Sequence, residues 1–242
     1  MKSIICFTIL LLTCDSITFS QSTIDYQAGT GLTIQAGADV CADDININGT
    51  FTGGGTICGA TAYVLNLTVL IQGFYNPATN IMVSDTATIY LRNTTTPFAI
   101  IDTAKSVLDN SGAGTFIFFN VSNGTNYYID VRHRNSIETW SFSAVAFSSG
   151  TLTYDFTSAA NKAFGSNMLQ IDASPLKFGI YSGDVNQDGV VDGTDAALVD
   201  NDAYNFVTGY VVTDINGDGV TDGSDAAIVD NNAYNFVTKI TP

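Results

Sequence analysis

The chain has 242 residues, 45% of them apolar, which suffices for one large domain or two to three small ones. Only 13% of residues are charged and the formal net charge is −15, a balance that argues against nucleic acid or an anionic membrane as a partner. The charge is uneven: eleven of the 23 acids are aspartates between Asp184 and Asp230, and the only base after Lys177 is Lys239.

Residues 1–20 predict a signal peptide. Lys2 supplies a short positive region, Ile4 to Leu12 an apolar run, and Thr18-Phe19-Ser20 the cleavage positions, with Gln21 opening the mature chain. The apolar run is too short to span a bilayer. Leu11-Leu12-Thr13-Cys14 offers an alternative reading as a lipoprotein signal. No later segment has the length and apolarity of a membrane span. The expectation is a secreted or extracellular protein, soluble or held at a cell surface by something else. Two cysteines follow the cleavage point, Cys41 and Cys58. In an oxidising compartment such a pair suggests one disulfide; two small buried thiols are the alternative.

Residues 21–60 are Gly-rich and β-like. The triplets LTI, ADV, INI and GTF are separated by Gly, Ala and Asn turns, which fits a hairpin stack or a few rungs of a β-solenoid. The pattern resembles the short stacking segments of secreted proteins of the Bacteroidota.

Residues 61–182 carry the bulk of the core. YVLNLTVLIQGFY, ATIYLRN, GTFIFFNV, TNYYIDVRHR, TWSFSAVAF and GTLTYDF are rich in β-branched and aromatic residues, with NPATN, DNSGAG, SNGT and SSG as turns. Strands at this spacing predict a β-sandwich. The run from LRN through a polar segment to DNSGAGTFIF and NVSNGTNYYIDV resembles the transthyretin-like, or CnaB-type, sandwich domains.

Catalytic candidates in this region are few. His133 is the only histidine and lies between Arg132 and Arg134. It is expected at an exposed strand edge and not in a catalytic triad, which needs base, orienter and nucleophile in contact. Glu138 is the only glutamate, and no paired-carboxylate signature of a glycosidase accompanies it. The expectation is a protein that is not an enzyme. Trp140, Tyr127 and Tyr128 would form either a sugar-stacking platform or ordinary core packing. Glycosylation triplets occur at Asn48, Asn66, Asn93, Asn120 and Asn123, and Asp85-Thr86-Ala87 and Asp102-Thr103-Ala104 resemble Bacteroidota O-glycosylation sites.

The last 60 residues are an internal repeat. Gly183–Val212 and Thr213–Pro242 agree at 19 of 30 positions. Each copy starts with an acidic loop, DVNQDGVVDGTD at 184–195 and DINGDGVTDGSD at 214–225. Calcium is a hard cation that takes six to eight oxygens, and a tightly turning loop can aim alternate side chains at one centre. The candidate ligands are Asp184, Asn186, Asp188, the Val190 carbonyl, Asp192 and Asp195. In the second copy they are Asp214, Asn216, Asp218, the Val220 carbonyl, Asp222 and Asp225. Gly189 and Gly219 would allow the sharp turn at positive φ. Magnesium prefers a tight, hydrated octahedron, and zinc would want His or Cys, so two calcium ions are expected. A helix-like segment follows each loop, with Ala196, Val199, Ala203 and Phe206, and Ala226, Val229, Ala233 and Phe236, at helical spacing. Packing the two units face to face would bury Phe206 and Phe236 in a shared interior.

A loop of this form followed by one helix, present twice in about 60 residues, resembles a type I dockerin; an EF-hand would carry a helix before the loop as well. The resemblance implies attachment to a cohesin domain on a scaffold protein, in either of two orientations. At the recognition positions the chain departs from the family: Gly193-Thr194 and Gly223-Ser224 stand where a Ser/Thr pair is usual, and the helices carry Asp200-Asn201 and Asp230-Asn231 where bases are usual.

The expected fold class is mainly β: a signal peptide at 1–20, a β-stack segment at 21–60, a β-sandwich at 61–182, and a small all-α, calcium-binding, dockerin-like module at 183–242. Three functions compete. The first is a secreted, non-catalytic protein whose module mediates attachment to a cohesin-like domain, with a glycan as a further ligand of the sandwich. The second is a structural subunit of an extracellular fibre or surface layer, its partner another copy of itself. The third is an accessory part of a polysaccharide-degrading system.

Overall fold

The computed structural model describes residues 23–26, 31–35, 37–41, 44–47, 50–52, 56–58 and 61–242. The expected signal peptide, its lipoprotein alternative and Asn48 lie outside the described residues.

Six short strands occupy the described part of the N-terminal region: β1 (Thr23–Tyr26), β2 (Gly31–Thr33), β3 (Asp39–Cys41), β4 (Asp44–Ile47), β5 (Thr50–Thr52) and β6 (Thr56–Cys58). They pair β1 with β4, β2 with β5 and β3 with β6, all in parallel. Two passes of three strands therefore stack as solenoid rungs. A hairpin stack would instead pair consecutive strands antiparallel. Cys41 is disulfide-bonded, and the register sets Cys58 opposite it.

The β-domain begins with β7 (Tyr63–Thr68), a small hairpin of β8 (Tyr75–Asn76) and β9 (Ile81–Met82), and then β10 (Asp85–Arg92). It continues with β11 (Ile100–Leu108), β12 (Ala113–Phe118), β13 (Asn126–His133), β14 (Thr139–Trp140), β15 (Val145–Ala146) and β16 (Thr151–Asp155). One sheet runs β11-β10-β13-β14, with β15 also on β13; the other runs β12-β7-β16. Burial along β10 alternates residue by residue, the mark of a strand with one face on the core. Leu65 and Leu67 of β7, Ile89 and Leu91 of β10, Phe116 and Phe118 of β12 and Ile129 and Val131 of β13 fill the space between the sheets, with Phe147 and Phe156. A further antiparallel hairpin, β17 (Leu169–Ala173) and β18 (Leu176–Gly179), leads to the C-terminal module.

One expectation for the β-domain needs correction, and one open alternative is decided. His133 is 3% exposed, not at an exposed edge. Its strand is interior, flanked by β10 and β14, and its ring meets Phe74 edge-on with centroids 4.9 Å apart. Trp140 and Tyr127 are buried, so they form no flat sugar platform. Trp140 instead packs against Phe98 and Tyr128 and beneath the Arg92 guanidinium.

The C-terminal module holds two helices, α1 (Gly193–Tyr204) and α2 (Gly223–Tyr234). Its interior is Val185, Val191, Val199, Ile215, Val229 and Val237, completed by Ile137 from the turn between β13 and β14. Phe206 and Phe236 are not in that interior: they are 86% and 87% exposed. Each helix stops at a Tyr, with Asn205 or Asn235 as its C-cap. The following Phe turns back at φ 54° or 55°, so helical periodicity no longer sets where its side chain goes.

Candidate metal centres and the interface that carries them

The two acidic loops fold alike because their own side chains tie down the backbone. Asn186 Oδ1 accepts from Asp188 N at 2.9 Å, and Asp188 Oδ1 from Val190 N at 2.9 Å. Asn216 and Asp218 do the same at 2.8 and 2.9 Å. Asp184 Oδ2 accepts from Gly189 N at 3.1 Å and Asp214 Oδ2 from Gly219 N at 3.3 Å. Both glycines sit at positive φ, 94° and 86°, as the sharp turn requires.

The acid at the end of each loop holds it shut. Asp195 Oδ1 accepts from Val185 N and Asn186 N, at 2.8 and 3.1 Å, and its Oδ2 from Asp192 N at 3.0 Å. Asp225 repeats this on Ile215, Asn216 and Asp222 at 2.7, 3.0 and 2.9 Å. Both carboxylates are fully buried. Asp192 and Asp222 have a role the spacing did not suggest. Each is the N-cap of its helix, accepting from Thr194 N or Ser224 N at 2.7 Å and closing a capping box with the acid three residues on. The Thr194 hydroxyl and N–H lower the Asp192 pKa, and the Ser224 N–H and hydroxyl lower that of Asp222.

The twelve candidate ligands thus gather at two loops, six to each. Among the described residues no three His, Cys, Asp or Glu side chains form a metal cluster unaided; an oxygen set here must include Asn186 or Asn216 and a main-chain carbonyl. The electrostatics fit such a guest. Asp184 Oδ1 is buried without a hydrogen-bond partner. Burial, with the Asp195 and Asp188 carboxylates beside it, pushes the Asp184 carboxyl up to about 6. Burial raises Asp225 as well, with Asp214 adding to it. A hard divalent cation would relieve that repulsion and engage the unpartnered oxygen.

The loops are also stitched to each other's repeat. Thr208 bridges Val220 and Val190 bridges Thr238, so the chain leaving each helix pairs with the other unit's loop. Thr221 N donates to Val207 O at 3.0 Å and Val191 N to Val237 O at 2.9 Å.

The whole module rests on the β-domain. Asn232 Nδ2 donates to Gln72 Oε1 and to Ser182 O, both at 2.7 Å. Asn135 Nδ2 donates to Asp214 O at 2.8 Å, and Gly183 N to Asn135 O at 2.6 Å. Arg134 pairs with Asp85 at 2.9 Å and reaches Asp214 at 3.3 Å. Tyr210 OH, from the link between the repeats, donates to Asp85 Oδ1 at 2.6 Å. Gly73 is required where it stands, since a Cβ there would collide with the Ile215 carbonyl oxygen. None of these long-range pairings is visible in sequence spacing.

At the same boundary Asp85 Oδ2, His133 and Ser136 Oγ form a hydrogen-bonded chain, 3.1 Å at Nε2 and 3.0 Å at Nδ1. The order of groups is that of a hydrolytic triad. Its Ser136 is fully buried, and its backbone bridges Ser182 beneath the module, so no substrate carbonyl can reach the hydroxyl. All three groups belong to the β-domain, and Asp85 also accepts from Tyr210 of the module at 2.6 Å.

No curated protein gives a match to this sequence. The solved structures similar to this chain include two type II cohesin–X–dockerin complexes from Acetivibrio cellulolyticus, one an N-terminal and one a C-terminal interface mutant. They share 15% and 16% identity and cover 72% of this chain and 99% of theirs, with TM-scores of 0.41 and 0.42, too low to define a common fold. Residues 182–233 match the family model of the dockerin type I domain, and the C-terminal part of the chain is a dockerin-like module with two helices.

Proposed function

We propose that this is a secreted, non-catalytic protein whose C-terminal module binds two calcium ions and attaches the chain to a cohesin-type protein domain. The ligands are Asp184, Asn186, Asp188, Val190 O, Asp192 and Asp195 for one ion, and Asp214, Asn216, Asp218, Val220 O, Asp222 and Asp225 for the other. Asp192 and Asp222 act through water, since their caps hold them to the helix. When bound, calcium supplies charge neutralisation and nothing catalytic. The Cys41–Cys58 disulfide and a transthyretin-like character of the β-domain belong to the same proposal.

The observation that carries attachment is a repeated, outward-facing aromatic pair. Tyr204 and Phe206 stand exposed at the end of α1, and Tyr234 and Phe236 at the end of α2. A bulky residue held at positive φ costs on the order of 1 kcal/mol, so two phenylalanines held this way and turned to water call for a partner. Their surroundings are acidic, with Asp200 and Asp202 on α1 and Asp230 on α2 and no base on either helix. The partner face is therefore apolar with a neutral or basic rim. Such a face replaces the Ser/Thr and basic contacts that this chain lacks.

The test is binding of the whole protein to purified cohesin-type domains of the producing organism, with calcium and with chelator. Calcium-dependent binding that is lost in a Tyr204→Ala, Phe206→Ala, Tyr234→Ala, Phe236→Ala variant supports the reading. Absence of binding to every such domain would contradict it. The extensive contact between the module and its own β-domain favours a second reading, a self-assembling structural subunit. Sedimentation showing calcium-dependent oligomers of the pure protein would decide for that one.

A further inference from the structure

We infer that Arg134, supplied by the β-domain, makes the second loop the weaker of two calcium sites with the same ligand types. This rests on the calcium reading and goes beyond it, because the repeat by itself makes the two sites alike.

The ligand types coincide position by position, and the hydrogen bonds within the loops differ by at most 0.2 Å. Two differences stand out: inside the second loop Gly217 N donates to Asp214 Oδ1 at 2.9 Å, and from outside a base approaches. Arg134 Nη2 lies 3.3 Å from Oδ2 of Asp214, the first ligand of the second loop. The guanidinium is fixed there: Nε is paired with Asp85 at 2.9 Å, and its carbon lies 4.5 Å from the Tyr210 ring centroid and 5.2 Å from that of Phe74. Among the described residues no other base is ion-paired with a carboxylate of either loop. Lys239 lays its stem against Gly189 of the first loop, but its ammonium is paired with Glu138 at 3.4 Å.

The two first ligands therefore start from different states. Asp184 has a buried Oδ1 with no partner. Asp214 has both oxygens engaged, Oδ1 by Gly217 N at 2.9 Å and Oδ2 by Gly219 N and Arg134. Calcium entering the first loop takes up an unused oxygen and meets only negative charge. Calcium entering the second competes for an oxygen already bonded and comes close to a fixed positive charge. At a few ångströms, even with water-like screening, that repulsion lowers affinity on the order of tenfold. The first loop fills first. The second fills at higher calcium, and its filling reaches the domain boundary through Arg134, Asp85 and Tyr210.

Calorimetric titration of the full, calcium-stripped chain tests this. Two classes of site about tenfold apart are expected. Asp218→Ala should leave the tight site and Asp188→Ala the weak one. Arg134→Met keeps a stem against Phe74 and Tyr210 and should bring the two affinities together, whereas Arg134→Lys should keep them apart. Equal sites in the wild-type protein, or a tight site that survives Asp188→Ala, would overturn the inference and leave the calcium reading intact. The wild-type and Asp188→Ala titrations decide this even if Arg134→Met does not fold. No heat of binding at either loop would overturn both.

Discussion

Chelating calcium at pH 7.5 should melt the C-terminal module and leave the β-domain folded. The helical signal at stake is that of α1 and α2, 12 residues each, whose first turns are held by the loops. A site occupied at 100 times its dissociation constant stabilises by about 2.7 kcal/mol, so two sites contribute about 5 kcal/mol. In a unit of this size 1 kcal/mol moves the midpoint by about 4–8 °C, so chelation should lower the module's transition by about 20 °C or more. pH gives the sharper discrimination. Asp184 titrates near 6 in the folded, calcium-free loop against 3.8 unfolded. Between those values the folded state holds the extra proton, so protonation stabilises the empty loop, and that help disappears as pH rises through 6. The chelator effect should be smaller at pH 5 than at pH 7.5, by about 1 kcal/mol. Circular dichroism at 222 nm during heating, with and without chelator at both pH values, measures it. An identical transition with and without chelator at pH 7.5 would refute the reasoning, and so would an effect that does not change between the two.

Other outcomes follow from the packing. Ile215→Ala, at a fully buried position within the second loop, should cost about 2–5 kcal/mol by chemical denaturation. Phe206→Ala should stay within about 0.5 kcal/mol while weakening partner binding, because the ring touches mostly water. Gly73→Ala should lower the melting temperature of the calcium-loaded protein by loosening the module from the β-domain, with the β-domain core itself unaffected. Burial lowers the His133 pKa below 6.5, so the unfolded chain takes up a proton that the folded one refuses. Stability of the calcium-saturated protein should therefore fall as pH drops below about 6.5, with a shallower slope in His133→Gln.

Local chemistry was legible in the sequence, and long-range contact was not. The loops could be found because oxygen donors at fixed spacing around a glycine are a short-range pattern, and the helices because small and apolar residues recur at helical spacing after each loop. Phe206 and Phe236 defeated the same periodicity, since each helix stops two residues before the ring and the backbone turns to positive φ. Strand β11 was hidden because Asp102 and Ala104 face inward along it, with Leu108 the one large, fully buried apolar side chain. Asp102 is held there by Phe119 N and Asn120 N, each at 2.8 Å. Burial of His133 and completion of the module's core by Ile137 depend on the module lying against the β-domain, which no local pattern encodes.

The most direct test is the number of calcium ions carried by the intact chain, read by native mass spectrometry after removal of free calcium. Two ions per chain are expected, falling to one in Asp188→Ala or Asp218→Ala and to none when both are changed. A wild-type mass without calcium, or calcium retained when both aspartates are replaced, would contradict the account.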